Sequence, residues 1–291
     1  MQKSLSPRLR PDFHRRRNFL GDHRSVDRIL THYELERKLS DQLRSASRAT
    51  RPRVYTEVYR ELFASLPDHP QQRGKRTGSA HVDAQLLRVA KQFQSQSVFL
   101  EIGCGDAALA FAAASQLRTA YGLDVTDVLI DFAAAPSNFR FLPTGGIEIP
   151  LSAEEVDFAY SNQLMEHLHP EDATDQLREI HRVLKPGGRY MCITPSRVTG
   201  PHDISCYFDY EATCLHLREY DYGSLRALFR DAGFQHFSCS ASIRGRELRL
   251  PYATIRALES SLLMLPASIR ATLTRHSAVQ TIFGLNVIAE K

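Results

Sequence analysis

Cysteine is scarce and odd in number, five in 291 residues. That excludes the disulfide framework of a small secreted domain and makes a reducing, cytoplasmic setting the expectation. Long apolar runs are missing as well. ALAFAAASQL stops at Arg118, and SSLLMLPASI lies between Glu259 and Arg270; neither approaches the roughly 18 residues that span a bilayer. The first twenty residues hold six basic groups and one acid but nothing like the apolar core of a secretory signal. No glycine-rich stretch ends in the Lys-Ser or Lys-Thr of a phosphate-binding loop. At 43% apolar and 24% charged residues, the composition excludes wholesale disorder, collagen-like repeats and a coiled coil.

What is present is unevenly distributed. Residues 1 to 80 carry 18 Lys and Arg against 9 Asp and Glu, while the rest carries 19 against 24. A division into a basic arm with a helical extension (1–80) and a second domain (81–291) is expected from that change of sign. The first twenty residues read as a solvated, mobile terminus. Val26, Ile29, Leu30, Tyr33, Leu35 and Leu39 recur at helical spacing, and YTEVYRELFASL predicts a second amphipathic helix stopping at Pro67. DHPQQRGKRTGSA, residues 68–80, reads as a linker.

Beyond it, strand-length and helix-length segments alternate. Strands are predicted at 97–102, 119–123, 139–142, 156–161 and 189–195, with helices at 81–93, after Asp106, around 127–134 and at 173–184. Such alternation implies a parallel sheet covered on both faces, with ligands beyond the carboxyl ends of its strands. The tail departs from the rhythm. Helix YGSLRALFRDAGF, strand FQHFSCSASI, a helical insert at about 252–275 and a last strand in TIFGLNVIAEK suggest an antiparallel edge.

In EIGCGD, Gly103 and Gly105 fall where the first strand ends and allow backbone to approach a ligand closely. Ala108 keeps the spacing of a dinucleotide fingerprint open, but the Asp106 carboxylate would sit where a pyrophosphate needs positive potential. A nucleoside without phosphate fits better, with Asp124 closing the second strand where a carboxylate can accept ribose hydroxyl hydrogens.

VFLEIGCGDAALA, AYGLDVTD, VDFAYSNQLMEHLHPED and LREIHRVLKPGGRYMCITP, in this order, resemble the successive motifs of class I S-adenosylmethionine-dependent methyltransferases. The nearest group in pattern is the broad ubiquinone- and menaquinone-biosynthesis one, over roughly residues 96–291. The resemblance implies a Rossmann-like α/β fold: a seven-stranded, mostly parallel sheet with one antiparallel edge strand, here preceded by a helical extension. It implies S-adenosylmethionine as cofactor, with Glu101, Gly103, Cys104 and Gly105 around its methionine portion, Asp124 on the ribose and Val125 against adenine. Ser161 and Gln163 would face the transferred methyl. The family's usual acid after the third strand is replaced by Gly145, which leaves adenine recognition unassigned. Gln163 also stands where ubiquinone-type relatives use a Glu to help hold a divalent metal, so no metal is expected.

Methyl transfer from a sulfonium needs alignment of acceptor, methyl and sulfur, and for a hydroxyl acceptor a base near neutral pH. SNQL in place of an NPPY-type motif, and the absence of a Pro-Cys nucleophile, disfavour nucleic-acid bases; Cys104 and Cys192 read as buried and inert. Histidines crowd the segments after the fourth and fifth strands instead. His202, beside Asp203, is the first candidate base and His167 the second, with His216 as a substrate-orienting group and His181 as structural. The expectation is O-methylation of a small-molecule or glycan hydroxyl. The alternatives are an amine acceptor, or a nucleic-acid- or membrane-associated protein that works through its basic arm. Covering the cofactor as a lid and recruiting a partner are both roles the front helices could fill.

Overall fold

Serine at the start of a helix satisfies orphan N–H groups, and the front of the chain uses it: Ser25 accepts a bond from Arg28 N at the head of a 20-residue helix. The computed structural model describes residues 7–69, 79–94, 96–243 and 246–291. Three helices come first: α1 (Phe13–Leu20), α2 (Val26–Ser45) and α3 (Arg51–Ser65). Then follow α4 (Ser79–Val89), β1 (Val98–Ile102), α5 (Ala108–Ala114), β2 (Thr119–Asp124), β3 (Phe139–Pro143), β4 (Val156–Asn162), α6 (Pro170–Val183) and β5 (Leu184–Thr194). The chain ends with α7 (Tyr222–Asp231), β6 (His236–Ile243), β7 (Arg246–Leu250), α8 (Tyr252–Leu263), α9 (Ala267–Leu273), α10 (Ser277–Phe283) and β8 (Leu285–Glu290). None of the helices described is long and apolar enough to cross a membrane.

The strands form one sheet in the order β3-β2-β1-β4-β5-β8-β6-β7. The first five run parallel, and β8 is antiparallel to both of its neighbours. Two expectations need correcting. The sheet has eight strands, because RELRL folds back on β6 as a hairpin partner, and the antiparallel β8 is inserted between β5 and β6 instead of lying at the edge. The helix expected around 127–134 is only a single turn at Phe132–Ala134, where the Asp131 side chain caps Ala133 N. A local side-chain bond of this kind competes with helix extension. The expected linker lies mostly outside the described residues.

Side chains of β1 alternate between two apolar layers: Val98, Leu100 and Ile102 join the larger, Phe99 the smaller. Two further clusters are built jointly by the front helices and the segment after β5. Phe13, Ile29 and Tyr33 pack with Ile204 and Tyr207, and Leu39, Leu43 and Tyr55 with Leu215 and Leu217. Apolar packing thus crosses the change of charge near residue 80. The terminus expected to be mobile is docked from residue 10 onward: Arg10 is buried, bonds Asp12 and lies over the Tyr210 ring, and Arg16 donates to Pro201 O at 2.7 Å. These arginines serve the fold before any partner.

Candidate active site

β1 has β2 on one side and β4 on the other, so the crevice of this sheet opens beyond Ile102. There Gly103 and Gly105 take φ of 68° and 55°, a region that only glycine occupies cheaply. A Cβ on Gly103 would stand 2.9 Å from Leu164 Cδ1, whereas the corresponding point at Gly105 is open. The first glycine lets the turn pack on the loop after β4, and the second leaves room above it. That room is a cavity of about 490 Å³ whose walls include Gly103, Cys104, Gly105, Asp124, Val125 and Gln163, in the usual range for a cofactor-sized ligand.

Asp124 is tied into the turn. Its Oδ2 accepts Gly105 N at 2.8 Å and its Oδ1 accepts Val125 N at 2.7 Å, while burial pushes its carboxyl up to about 6. Thr126 N also donates to Oδ1, at 3.3 Å, so the lone pair left for a hydroxyl is on Oδ2.

Two residues expected at the ligand are elsewhere. Ser161 is sealed in the sheet with its hydroxyl 2.6 Å from that of Tyr190. Gln163, two residues on and past the end of β4, would share its face in a continued strand; its φ of 57° breaks the strand, and it lines the crevice instead. Glu101 lies beneath the glycine turn, where Oε2 accepts Ala110 N at 2.9 Å and braces α5. Burial raises its carboxyl to about 8, with the nearby Asp106 and Asp124 adding to the effect.

A group whose folded-state value is raised gives stability that is complete below its ordinary value of 4.5 and is lost as pH rises through 8. Glu101→Gln keeps the acceptor oxygen and removes the titration. In thermal melts without added ligand, the variant gains roughly 2–4 kcal/mol over the parent at pH 8.5 and nothing at pH 4. A gain of equal size at both pH values would show that Glu101 does not titrate on folding.

The outer wall comes from α3, which places Tyr55, Tyr59 and Phe63 along the cavity. This helix also explains Gly145. A Cβ there would lie 2.5 Å from Pro52 Cβ, so the acid that the resemblance would place at this position is excluded by the helix packed on it. Thr144 and Gly146 line the cavity in its place. The anchor is a buried ion pair: Arg51 holds Asp172 at 2.8 Å, and Tyr55 Oη donates to the same carboxylate at 3.2 Å and accepts His169 N at 2.6 Å. The sequence offers the front helices as a lid among other roles but names no residue of α3 at the cavity. The signal was an aromatic at every fourth position, Tyr55, Tyr59 and Phe63.

A second cavity, of about 530 Å³, lies between the front helices and the segment after β5, and it shares Gln163 and His167 with the first. His167 sits between the two. Its Nδ1 donates to Leu215 O at 2.9 Å, leaving the lone pair on Nε2, which is 3.9 Å from Glu166 Oε1. Burial, reinforced by the His216 cation, pushes His167 down to about 3, so the ring is neutral at physiological pH. Glu166 is fully buried with Oε1 lacking a hydrogen-bond partner, and burial raises it to about 7.

His216 is held charged by Glu219, 2.8 Å away, which outweighs the burial and lifts it to about 10. His202 lines the second cavity but not the first, and its Nε2 is paired with Thr199 Oγ1 at 2.8 Å. Asp203 does not support it. That carboxylate accepts the N–H groups of Ser205, Cys214 and His216 and so organises the loop. His181 packs edge-on to Phe234 in the position of a structural group.

Comparison with known proteins follows the same lines. Residues 100–192 match the family model described as a methyltransferase domain. A Mycolicibacterium smegmatis protein named "Probable S-adenosylmethionine-dependent methyltransferase" is 32% identical over 137 residues, 47% of this chain and 51% of that one. A Mycobacterium tuberculosis H37Rv protein of the same name, Rv3030, is 29% identical over 56% of this chain and 57% of its own. The chain therefore spans little more than half the length of the curated relatives it matches.

Among solved structures, a SAM-dependent methyltransferase from Archaeoglobus fulgidus superposes with a TM-score of 0.52 at 18% identity, over 76% of this chain and 97% of its own. The Burkholderia thailandensis 1,6-didemethyltoxoflavin-N1-methyltransferase, with bound S-adenosylhomocysteine, does so with 0.51 at 18%, over 82% and 90%. Motifs, sheet and relatives point one way: residues 100–192 match a methyltransferase domain, and the fold is that of S-adenosylmethionine-dependent methyltransferases.

Proposed function

We propose that the protein transfers a methyl group from S-adenosylmethionine to a hydroxyl of a small molecule or glycan, with His167 as the base. The observation that carries this reading is that His167 lines both cavities, so a neutral imidazole with an open Nε2 stands where a nucleoside cofactor and an acceptor would meet. The residues fit the cofactor. The open space at Gly105 suits the amino-acid portion, Asp124 Oδ2 offers a lone pair to a ribose hydroxyl, and Val125 with the α3 aromatics offers an apolar bed for a base. When bound, the cofactor supplies the electrophilic methyl.

The chain's own part is alignment, exclusion of water by α3, and removal of one proton. His167 Nε2 accepts the hydrogen bond of the acceptor hydroxyl. As the sulfonium charge is lost in the transfer, the proton moves onto Nε2, where the Glu166 carboxylate faces the new imidazolium. Isothermal titration with S-adenosylhomocysteine and, separately, with NAD tests the cofactor assignment. Saturable heat with the first alone is the expected result, and saturation by NAD alone would overturn it.

A further inference from the structure

The acceptor's chemistry can be read from the second cavity once the cofactor is assigned to the first, and the inference rests on that assignment. We propose that this cavity takes a polyhydroxylated acceptor without an anionic group, a sugar ring or a cyclitol, gripped by the Glu36 carboxylate of α2.

The cations along the wall are answered within the protein. Arg24 bonds the Asp22 carboxylate at 2.6 Å and His32 Nδ1 at 2.7 Å. Since arginine only donates, His32 carries its hydrogen on Nε2 and gives it to Glu36 Oε1 at 2.6 Å. Asp68 pairs with Arg28, and His216 with Glu219. A phosphate or carboxylate would have to displace one of these pairs, at a loss typical of breaking a buried ion pair, and would face the Glu36 and Asp203 carboxylates as well.

Apolar ligands are equally poorly served, because a wall rich in carboxylates and imidazoles would lose its hydration to hydrocarbon without replacement bonds. Ring hydroxyls both donate and accept. They can donate to the second lone pairs of Glu36 without disturbing any pair. Proximity alone would also allow a metal on His32, Glu36 and His69, whose donor atoms lie within 4.8 Å of one another. The Arg24 donor on His32 Nδ1 argues against it, since it forces hydrogen onto the Nε2 that a cation would need.

The test uses the full chain saturated with S-adenosylhomocysteine. Saturation-transfer NMR is run with methyl α-glucoside, myo-inositol, glucose 6-phosphate and catechol, followed by tritium transfer from labelled S-adenosylmethionine to whichever binds. Uncharged polyols are expected to bind at millimolar concentration. Two variants should weaken that binding at least tenfold and leave S-adenosylhomocysteine affinity within threefold. One is Leu20→Trp, which fills the cavity from a position 52% exposed and so does not disturb the core. The other is Glu36→Gln.

Binding confined to glucose 6-phosphate or catechol overturns the proposal. So does polyol binding that ignores both variants, or the absence of polyol binding by a protein that takes S-adenosylhomocysteine. Failure of the parent protein to take S-adenosylhomocysteine instead removes the cofactor reading, and this inference with it.

Discussion

His167→Ala lowers methyl transfer by about 10²–10⁴-fold with cofactor affinity held within a few-fold, the range typical for loss of a positioned base. The measurement is tritium incorporation from labelled S-adenosylmethionine into a fractionated cell extract, with calorimetry on the same variant. The expectation follows from the ring's position. Nδ1 is committed to Leu215 O and the residue lines both cavities, so alanine removes the proposed acceptor of the proton while the Gly103–Gly105 turn and Asp124 stay in place.

The pH profile adds a second readout. His167, held near 3, contributes no titration above pH 5. Glu166, raised to about 7 by burial, must be ionised to face the imidazolium, so the rate climbs through pH 7. Glu166→Gln lowers the rate and removes that limb. His202→Ala, outside the first cavity, changes turnover less than tenfold. A His167→Ala protein within threefold of the parent would strike this residue from the mechanism.

Arg51→Ala is expected to destabilise the protein by about 3–5 kcal/mol, because it strands the fully buried Asp172 carboxylate without its cation. At this chain length the loss corresponds to a fall in Tm of roughly 6–20 °C. Calorimetric melts check it. The pairing of Arg51→Met with Asp172→Leu recovers most of the loss if the cause is the orphaned charge. The same single variant loosens α3 from α6, so S-adenosylhomocysteine affinity falls together with stability; a melt unchanged within 1 °C would mean that the ion pair does not anchor the front helices.

The glycine turn, the strand–helix rhythm and the position of Asp124 were all legible in the sequence, because each is a local pattern with one physical reading. What escaped depended on contacts between distant segments. Ser161 carries the right residue type at the right interval, yet the pleat of β4 turns it to Tyr190. Glu101 reads as a ligand-facing acid until α5 is seen to place Ala110 N on it. Asp203 sits beside His202 in sequence, but three N–H groups of its own loop claim the carboxylate. The eighth strand was missed because RELRL is short and carries three charges in five residues, and only its pairing with β6 makes it a strand. Tyr55, Tyr59 and Phe63 were visible as a stripe, but a stripe does not say what it covers.

The clusters that join α1 and α2 to residues 204–217 also constrain how the protein is made. At about 5–20 residues per second, the apolar faces of these first helices leave the ribosome several seconds to half a minute before Tyr207 and Leu215 exist to meet them. During that interval the nascent chain displays Phe13, Ile29 and Tyr33 uncovered, a natural substrate for holding chaperones. A pause or truncation before residue 217 would release a product whose earliest-made segment has nowhere to dock.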